Sequence, residues 1–138
     1  MPIHIIDDKP EISEVLSLAL EAHSEQIACF YSAEEYLAHT QSETYFEPKL
    51  LISDVRMGGM DGFELIRTLQ RNGLKAKVII MSGFHDRHEL CHHNSCYFLD
   101  KPFNINELSS LVGKVIACDD CPTRCPVANL ANTICHKV

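Results

Sequence analysis

Short, unbroken apolar runs alternate along this chain with segments whose apolar residues recur every three or four positions. The first pattern predicts strands buried on both faces, the second amphipathic helices. Pro2 to Ile6 reads as a first strand, ending in the pair Asp7-Asp8. Ile12, Val15, Leu16, Ala19 and Leu20 form the stripe of a helix. Pro10 suits its first turn, where an absent N–H breaks no helical bond. Ile27 to Tyr31 is a second strand, and Ser32 with Glu35 is a capping box opening a helix to about Thr40. Residues 43–48 read as a loop, and Leu50-Leu51-Ile52 begins a third strand that ends at Asp54. Gly58, Gly59 and Gly62 crowd the next turn; Phe63, Ile66 and Leu69 mark a helix stopped by Asn72-Gly73. Val78 to Met81 and Cys96 to Leu99 are the last strands, with room at residues 85–93 for only a short helix between them. Asn104 and Glu107 cap a final helix striped by Ile105, Leu108, Leu111, Val112, Val115 and Ile116.

Apolar strands separated by helices imply a parallel sheet covered on both faces, and right-handed crossovers make it a doubly wound α/β domain. A ligand site is then expected beyond the carboxyl ends of the strands. Asp7, Asp8, Asp54, Ser82 and Lys101 all fall at those ends.

The chain has 138 residues, 46% of them apolar and 22% charged, which suits one globular domain with a short appendage. Its 12 basic residues against 19 acidic ones leave a net charge of −7. That field repels a phosphate backbone, so direct nucleic-acid binding is not expected. No apolar run approaches the roughly 18 residues of a membrane span, and the N-terminus lacks the basic start and apolar core of a signal sequence. A cytoplasmic location is the expectation.

The acids carry the candidate chemistry. If the first and third strands are neighbours, Asp7, Asp8 and Asp54 converge, and two like charges 4 Å apart repel by about 4 kcal/mol at an effective dielectric of 20. Such a cluster takes up a proton, stays wet or attracts a cation, and a hard divalent ion such as Mg²⁺ suits carboxylate, carbonyl and water oxygens. With the Lys101 ammonium and the Ser82 hydroxyl nearby, the set fits phosphoryl transfer to an aspartate.

These pieces resemble the receiver domain of two-component response regulators over residues 1–117. The resemblance rests on Asp7-Asp8, on Asp54-Val55-Arg56-Met57-Gly58-Gly59-Met60-Asp61-Gly62, on Ser82-Gly83 and on Lys101-Pro102-Phe103. It implies a flavodoxin-like, five-stranded parallel sheet of order 2-1-3-4-5 with helices on both faces. It further implies that Asp54 accepts a phosphoryl group from a sensor histidine kinase or histidine phosphotransfer protein. Asp8, Asp54 and the backbone carbonyl of Arg56 would ligate Mg²⁺, Asp7 would assist through water, and Lys101 would contact the phosphoryl oxygens. In the family the bond from Lys101 to Pro102 is typically cis, and Ser82 and Phe98 would be the switch pair.

Two departures stand out. Gly58 occupies a position commonly held by proline, so the loop after Asp54 is expected to be looser. Only 18 residues separate Ser82 from Lys101, a shorter interval than is typical, which implies a curtailed fourth helix and weakens any inference about partners from that face. The shortened stretch holds His85, His88, His92 and His93, for which a solvated polar face is the leading reading.

Residues 118–138 are a Cys-rich extension. Cys118, Cys121, Cys125 and Cys135, with His136 as a substitute for Cys135, are a candidate set for Zn²⁺ or, with less suitable spacing, an iron–sulfur cluster. A redox pair and unliganded thiols are the competing readings. Val127, Leu130, Ala131 and Ile134 have helical spacing.

The expected function is a stand-alone receiver that signals through an unidentified downstream protein, with at most self-phosphorylation and self-dephosphorylation as activity. Homodimerisation through the last two elements stays open. One rival is an aspartyl-phosphate phosphohydrolase, disfavoured because Arg56 stands where a general base would be. The other is a non-phosphorylated interaction module whose Cys-rich tail binds metal or senses redox state.

Overall fold

The computed structural model describes residues 2–83 and 97–117. Its strands are β1 (Pro2–Ile6), β2 (Gln26–Phe30), β3 (Leu50–Asp54), β4 (Lys77–Ser82) and β5 (Tyr97–Asp100), paired in parallel in the order β2-β1-β3-β4-β5. Helices α1 (Pro10–Leu20), α2 (Ala33–Thr40) and α3 (Gly62–Arg71) link the first four strands, and α4 (Ile105–Ala117) follows β5. This is the expected doubly wound α/β sheet in the expected strand order. The anticipated short helix at residues 85–93, the His85–Cys96 stretch and the 118–138 extension with its cysteines and His136 lie outside the described residues.

Every residue of β3 is buried, and so is β1 after Pro2, whereas β2 at the sheet edge is largely half-exposed. Alternation within each strand sends side chains to two separate cores. Ile3, Ile5, Ile52, Ile79 and Met81 pack beneath α1 and α4; Ile6, Leu51, Val78 and Ile80 pack beneath α2 and α3. Tyr97 and Phe98 divide between these cores as neighbours in a strand must. Each fully buried Leu, Ile or Phe contributes about 1.5–3 kcal/mol of transfer free energy, so the rigidity that holds the strand ends in place comes from these two layers.

Local capping explains where the boundaries differ from the expectation. The Ser32 hydroxyl accepts the Glu35 N–H at 2.9 Å, but the Glu35 carboxylate accepts the N–H of Tyr31 at 3.0 Å instead of that of Ser32. The Tyr31 N–H is thereby committed to α2, and β2 runs from Gln26 to Phe30, one residue earlier than its apolar run suggests. β5 reaches Asp100, which pairs with Ser82. Asp61 caps α3 by accepting the Glu64 N–H at 2.8 Å, a D-x-x-E pattern that the sequence reading passed over.

His4 is buried within the α2 side of the sheet, where its Nδ1 shares a 2.8 Å hydrogen bond with the Tyr36 hydroxyl. The rings of Phe30, His39, Tyr45 and Phe46 surround it. Burial, aided by the charge of His39, lowers its pKa from 6.5 to about 4. The unfolded chain therefore binds the proton first, and stability falls as pH drops through 6.5 toward 4, the loss levelling off only below 4. That loss amounts to about 3 kcal/mol for this single group. Urea midpoints at pH 7 and pH 4.5 should differ less in His4→Gln than in the wild-type chain; an equal drop in both would refute the assignment.

Candidate functional site

Sheet register brings the strand-end residues together. β1 and β3 pair from Ile3 with Leu50 to Ile6 with Ser53, so Asp7 and Asp8 emerge beside Asp54. β4 pairs with β3 up to Asp54 with Met81, and the Lys101 N–H donates to the Ser82 carbonyl at 2.8 Å just beyond β5. The Lys101-Pro102 bond is cis, as the resemblance implied.

One carboxylate oxygen from each of Asp7, Asp8 and Asp54 lies within 4.8 Å of the others. Lys101 Nζ donates to Asp54 Oδ1 at 2.7 Å. Asp54 is almost fully buried, and its Oδ2 has no hydrogen-bond partner among the described residues. Asp7 Oδ1 accepts the Lys9 N–H at 2.9 Å, while its buried Oδ2 likewise lacks a partner. The more exposed Asp8 accepts the Gly58 N–H at 3.4 Å and lies 3.8 Å from Lys9 Nζ. Burial pushes the Asp7 carboxyl above the usual range, and the charge of Asp54 reinforces this against the opposing Lys9 N–H and Lys101 ammonium. Ser82 is buried, its hydroxyl unpartnered among the described residues; Phe98 is buried one strand away; Arg56 is exposed on the loop after Asp54.

That loop is closed at its base by the Gly62 N–H donating to the Val55 carbonyl at 2.9 Å. A Cβ at Gly62 would collide with the Asp54 carbonyl oxygen, so glycine sets how closely α3 approaches the acid. Gly59 has φ +85°, and the next N–H, of Met60, donates to Glu34 of α2 at 2.9 Å. The sequence reading missed Glu34. No pattern along the chain could reveal it, because the contact depends on α2 lying against the loop.

The three crowded carboxylates are a liability to the metal-free fold. Asp7, whose pKa is raised, favours folding most in its protonated form at acid pH, and that contribution is lost as pH rises through its folded value. Asp7→Asn should therefore stabilise the chelator-treated protein at pH 7, on the order of 1–2 kcal/mol. The gain should vanish near pH 3.5, about where an unperturbed aspartate takes up its proton. Urea titration of both proteins at the two pH values checks this; a variant less stable at pH 7 would contradict it.

Five parallel strands with an acid cluster and a lysine at their carboxyl ends define the receiver class of α/β protein. A family model for the response regulator receiver domain matches residues 3–113, and the chain belongs to that family. It is 32% identical over 118 residues to the DNA-binding transcriptional regulator NtrC of Salmonella typhimurium, a match covering 83% of this chain and 24% of that protein. The chain thus spans about a quarter of the length of the NtrC proteins it matches, 24% in each of two species. An uncharacterized 14.6 kDa protein of Leptolyngbya boryana is 32% identical over 117 residues, covering 81% of this chain and 87% of that one. Among solved structures, the apo receiver domain of nitrogen regulatory protein C superposes with a TM-score of 0.68 at 32% identity, over 84% of this chain and 94% of that one. In sequence and fold this receiver is similar to the receiver domain of NtrC. Receivers of this family typically use Mg²⁺ at the phosphorylation site. No helix among the described residues is long and apolar enough to cross a membrane.

Proposed function

We propose that Asp54 accepts a phosphoryl group from a phosphohistidine of a histidine kinase or phosphotransfer protein, and that the receiver signals by protein contact. The observation that carries this reading is the Asp54 carboxylate itself. One oxygen is held by Lys101 at 2.7 Å, and the other is buried, unpartnered among the described residues. That second oxygen is the nucleophile: a P–O bond forms as the donor's P–N bond breaks, and the departing imidazole takes up a proton. Lys101 neutralises the phosphoryl oxygens and keeps Asp54 in one rotamer.

The donor set fits Mg²⁺. It offers hard oxygens only, and the buried Oδ2 of Asp7 has no hydrogen-bond partner among the described residues. Asp8, Asp54 and the Arg56 carbonyl would hold the ion, with Asp7 acting through water. The bound ion would screen charge building on the transferring oxygens. Ser82 supports a switch role, since a buried hydroxyl unpartnered among the described residues would gain a charge-assisted bond when Asp54 carries a phosphoryl group. Phe98, packed on the α2–α3 side, is the aromatic that would respond. An apolar groove of about 750 Å³ beside the site, between α1 and the segment after Lys101, supports docking of the donor within reach of Asp54. The receiver unit would end at residue 117, ahead of the Cys-rich extension.

Incubation with acetyl phosphate and Mg²⁺ tests the reading. One phosphoryl group should be added per chain, released by hydroxylamine as an acyl phosphate must be. Rapid multiple turnover without accumulation would favour the phosphohydrolase. No incorporation from this donor or from a kinase would favour the interaction module.

A further inference from the structure

We propose that Glu34 is a positioning residue for the phosphoacceptor site, clamping the loop after Asp54 from the neighbouring helix α2; this rests on the reading of Asp54 given above. The loop leaves β3 at Val55 and returns at Gly62, where the Val55 carbonyl accepts the Gly62 N–H. Between these ends its backbone is tied to neighbouring acids by Gly58 N–H to Asp8 at 3.4 Å and Met60 N–H to Glu34 at 2.9 Å. The two differ in kind. Asp8 belongs to the acid cluster, so an oxygen turned toward a cation is withdrawn from Gly58. Glu34 stands outside that cluster, and its bond persists whatever the acids hold.

The surrounding residues are fitted to this contact. Gly59 takes φ +85°, which aims the following N–H at α2, and a Cβ there would lie 2.6 Å from Glu34 Oε2. The backbone angle is what calls for glycine; a Cβ would also push the flexible Glu34 carboxylate off the Met60 N–H. Glu34 sits in the first turn of α2, where the helix dipole favours a negative charge. The Met60 N–H and its own backbone N–H hold its carboxyl below the usual range, so it remains a charged acceptor at neutral pH. Gly58, in a place where proline would stiffen the loop, leaves the chain in need of an external restraint. The Arg56 carbonyl, four residues before Met60, is the group whose placement the clamp secures.

The test compares Glu34→Ala and Glu34→Gln with the wild-type chain. In metal-free protein, amide exchange at Met60 should rise roughly tenfold in Glu34→Ala. It should stay within about threefold of wild type in Glu34→Gln, whose amide oxygen still accepts. The Mg²⁺ dissociation constant from calorimetry should rise about three- to tenfold in the alanine variant and recover in the glutamine variant. Phosphorylation by acetyl phosphate should need more Mg²⁺ in Glu34→Ala yet reach the wild-type rate at saturation. Unchanged exchange at Met60, or equal Mg²⁺ weakening in both variants (a loss of negative charge rather than of a bond), would overturn the clamp. A wild-type chain that takes up neither Mg²⁺ nor a phosphoryl group would overturn the reading of Asp54 instead, while exchange in metal-free protein still judges the Glu34–Met60 bond.

Discussion

Asp54→Asn should take up no phosphoryl group from acetyl phosphate or from any kinase, and should do so while folded. Asparagine keeps the shape and an oxygen facing Lys101, so the 2.7 Å contact survives as a hydrogen bond to a neutral acceptor. The nucleophile is lost, since a carboxamide has no anionic oxygen to attack phosphorus. The metal-free fold should not suffer. Removing one of three negative charges within 4.8 Å of one another relieves a repulsion on the order of several kcal/mol before Lys101 is counted. The loss of the attractive Lys101 charge pair offsets part of that relief. Intact-mass measurement after incubation, with a urea titration on the same sample, reads both effects. A phosphoryl adduct of undiminished yield would place the acceptor elsewhere in the chain.

Gly62→Ala is the second large effect. A methyl at Gly62 meets the backbone oxygen of Asp54, which belongs to the fully buried central strand and cannot swing aside as a side chain could. The first turn of α3 must move outward, pulling on the Gly62–Val55 bond and the Asp61 cap together. Overpacking against backbone costs about 3 kcal/mol, of which the better helix propensity of alanine returns less than about 1. For a domain of this size the melting temperature should fall by roughly 10 °C. The site should suffer as well, because displacing a reacting group by about 1 Å can lower a rate on the order of a hundredfold. Circular dichroism melting together with the initial phosphorylation rate checks the pair of consequences. A variant that melts and reacts like wild type would show that α3 accommodates the methyl without moving Asp54.

Much of this architecture was legible in one dimension because parallel strands buried on both faces must be apolar throughout, and covering helices must carry a stripe. Pro2–Ile6, Leu50–Asp54 and the Ile105–Ala117 helix are each found where these patterns put them. Errors of a residue or so arose where a side chain intervened: Glu35 takes the Tyr31 N–H and ends β2 early. The buried His4 was read simply as part of an apolar strand. Only the surrounding Tyr36, His39 and Tyr45 rings make it a group with a depressed pKa.

The acids, the hydroxyl and the lysine could be assigned to one end of the sheet from sequence, because topology alone obliges residues at strand termini to share an edge. Their grouping depended on strand order, which hydrogen-bond register decides: β1 beside β3 sets Asp7 and Asp8 against Asp54, and β5 beside β4 carries Lys101 within reach. What the amino-acid order determined by itself was the kind of fold and the inventory of reactive groups, since both follow from local periodicity and residue chemistry. Tertiary structure alone decided which Asp54 oxygen Lys101 holds, how close α3 packs at Gly62 and that Glu34 reaches the loop at Met60. Those contacts join residues distant in the chain, and their geometry is set by the packing of whole helices on the sheet rather than by any neighbour in sequence.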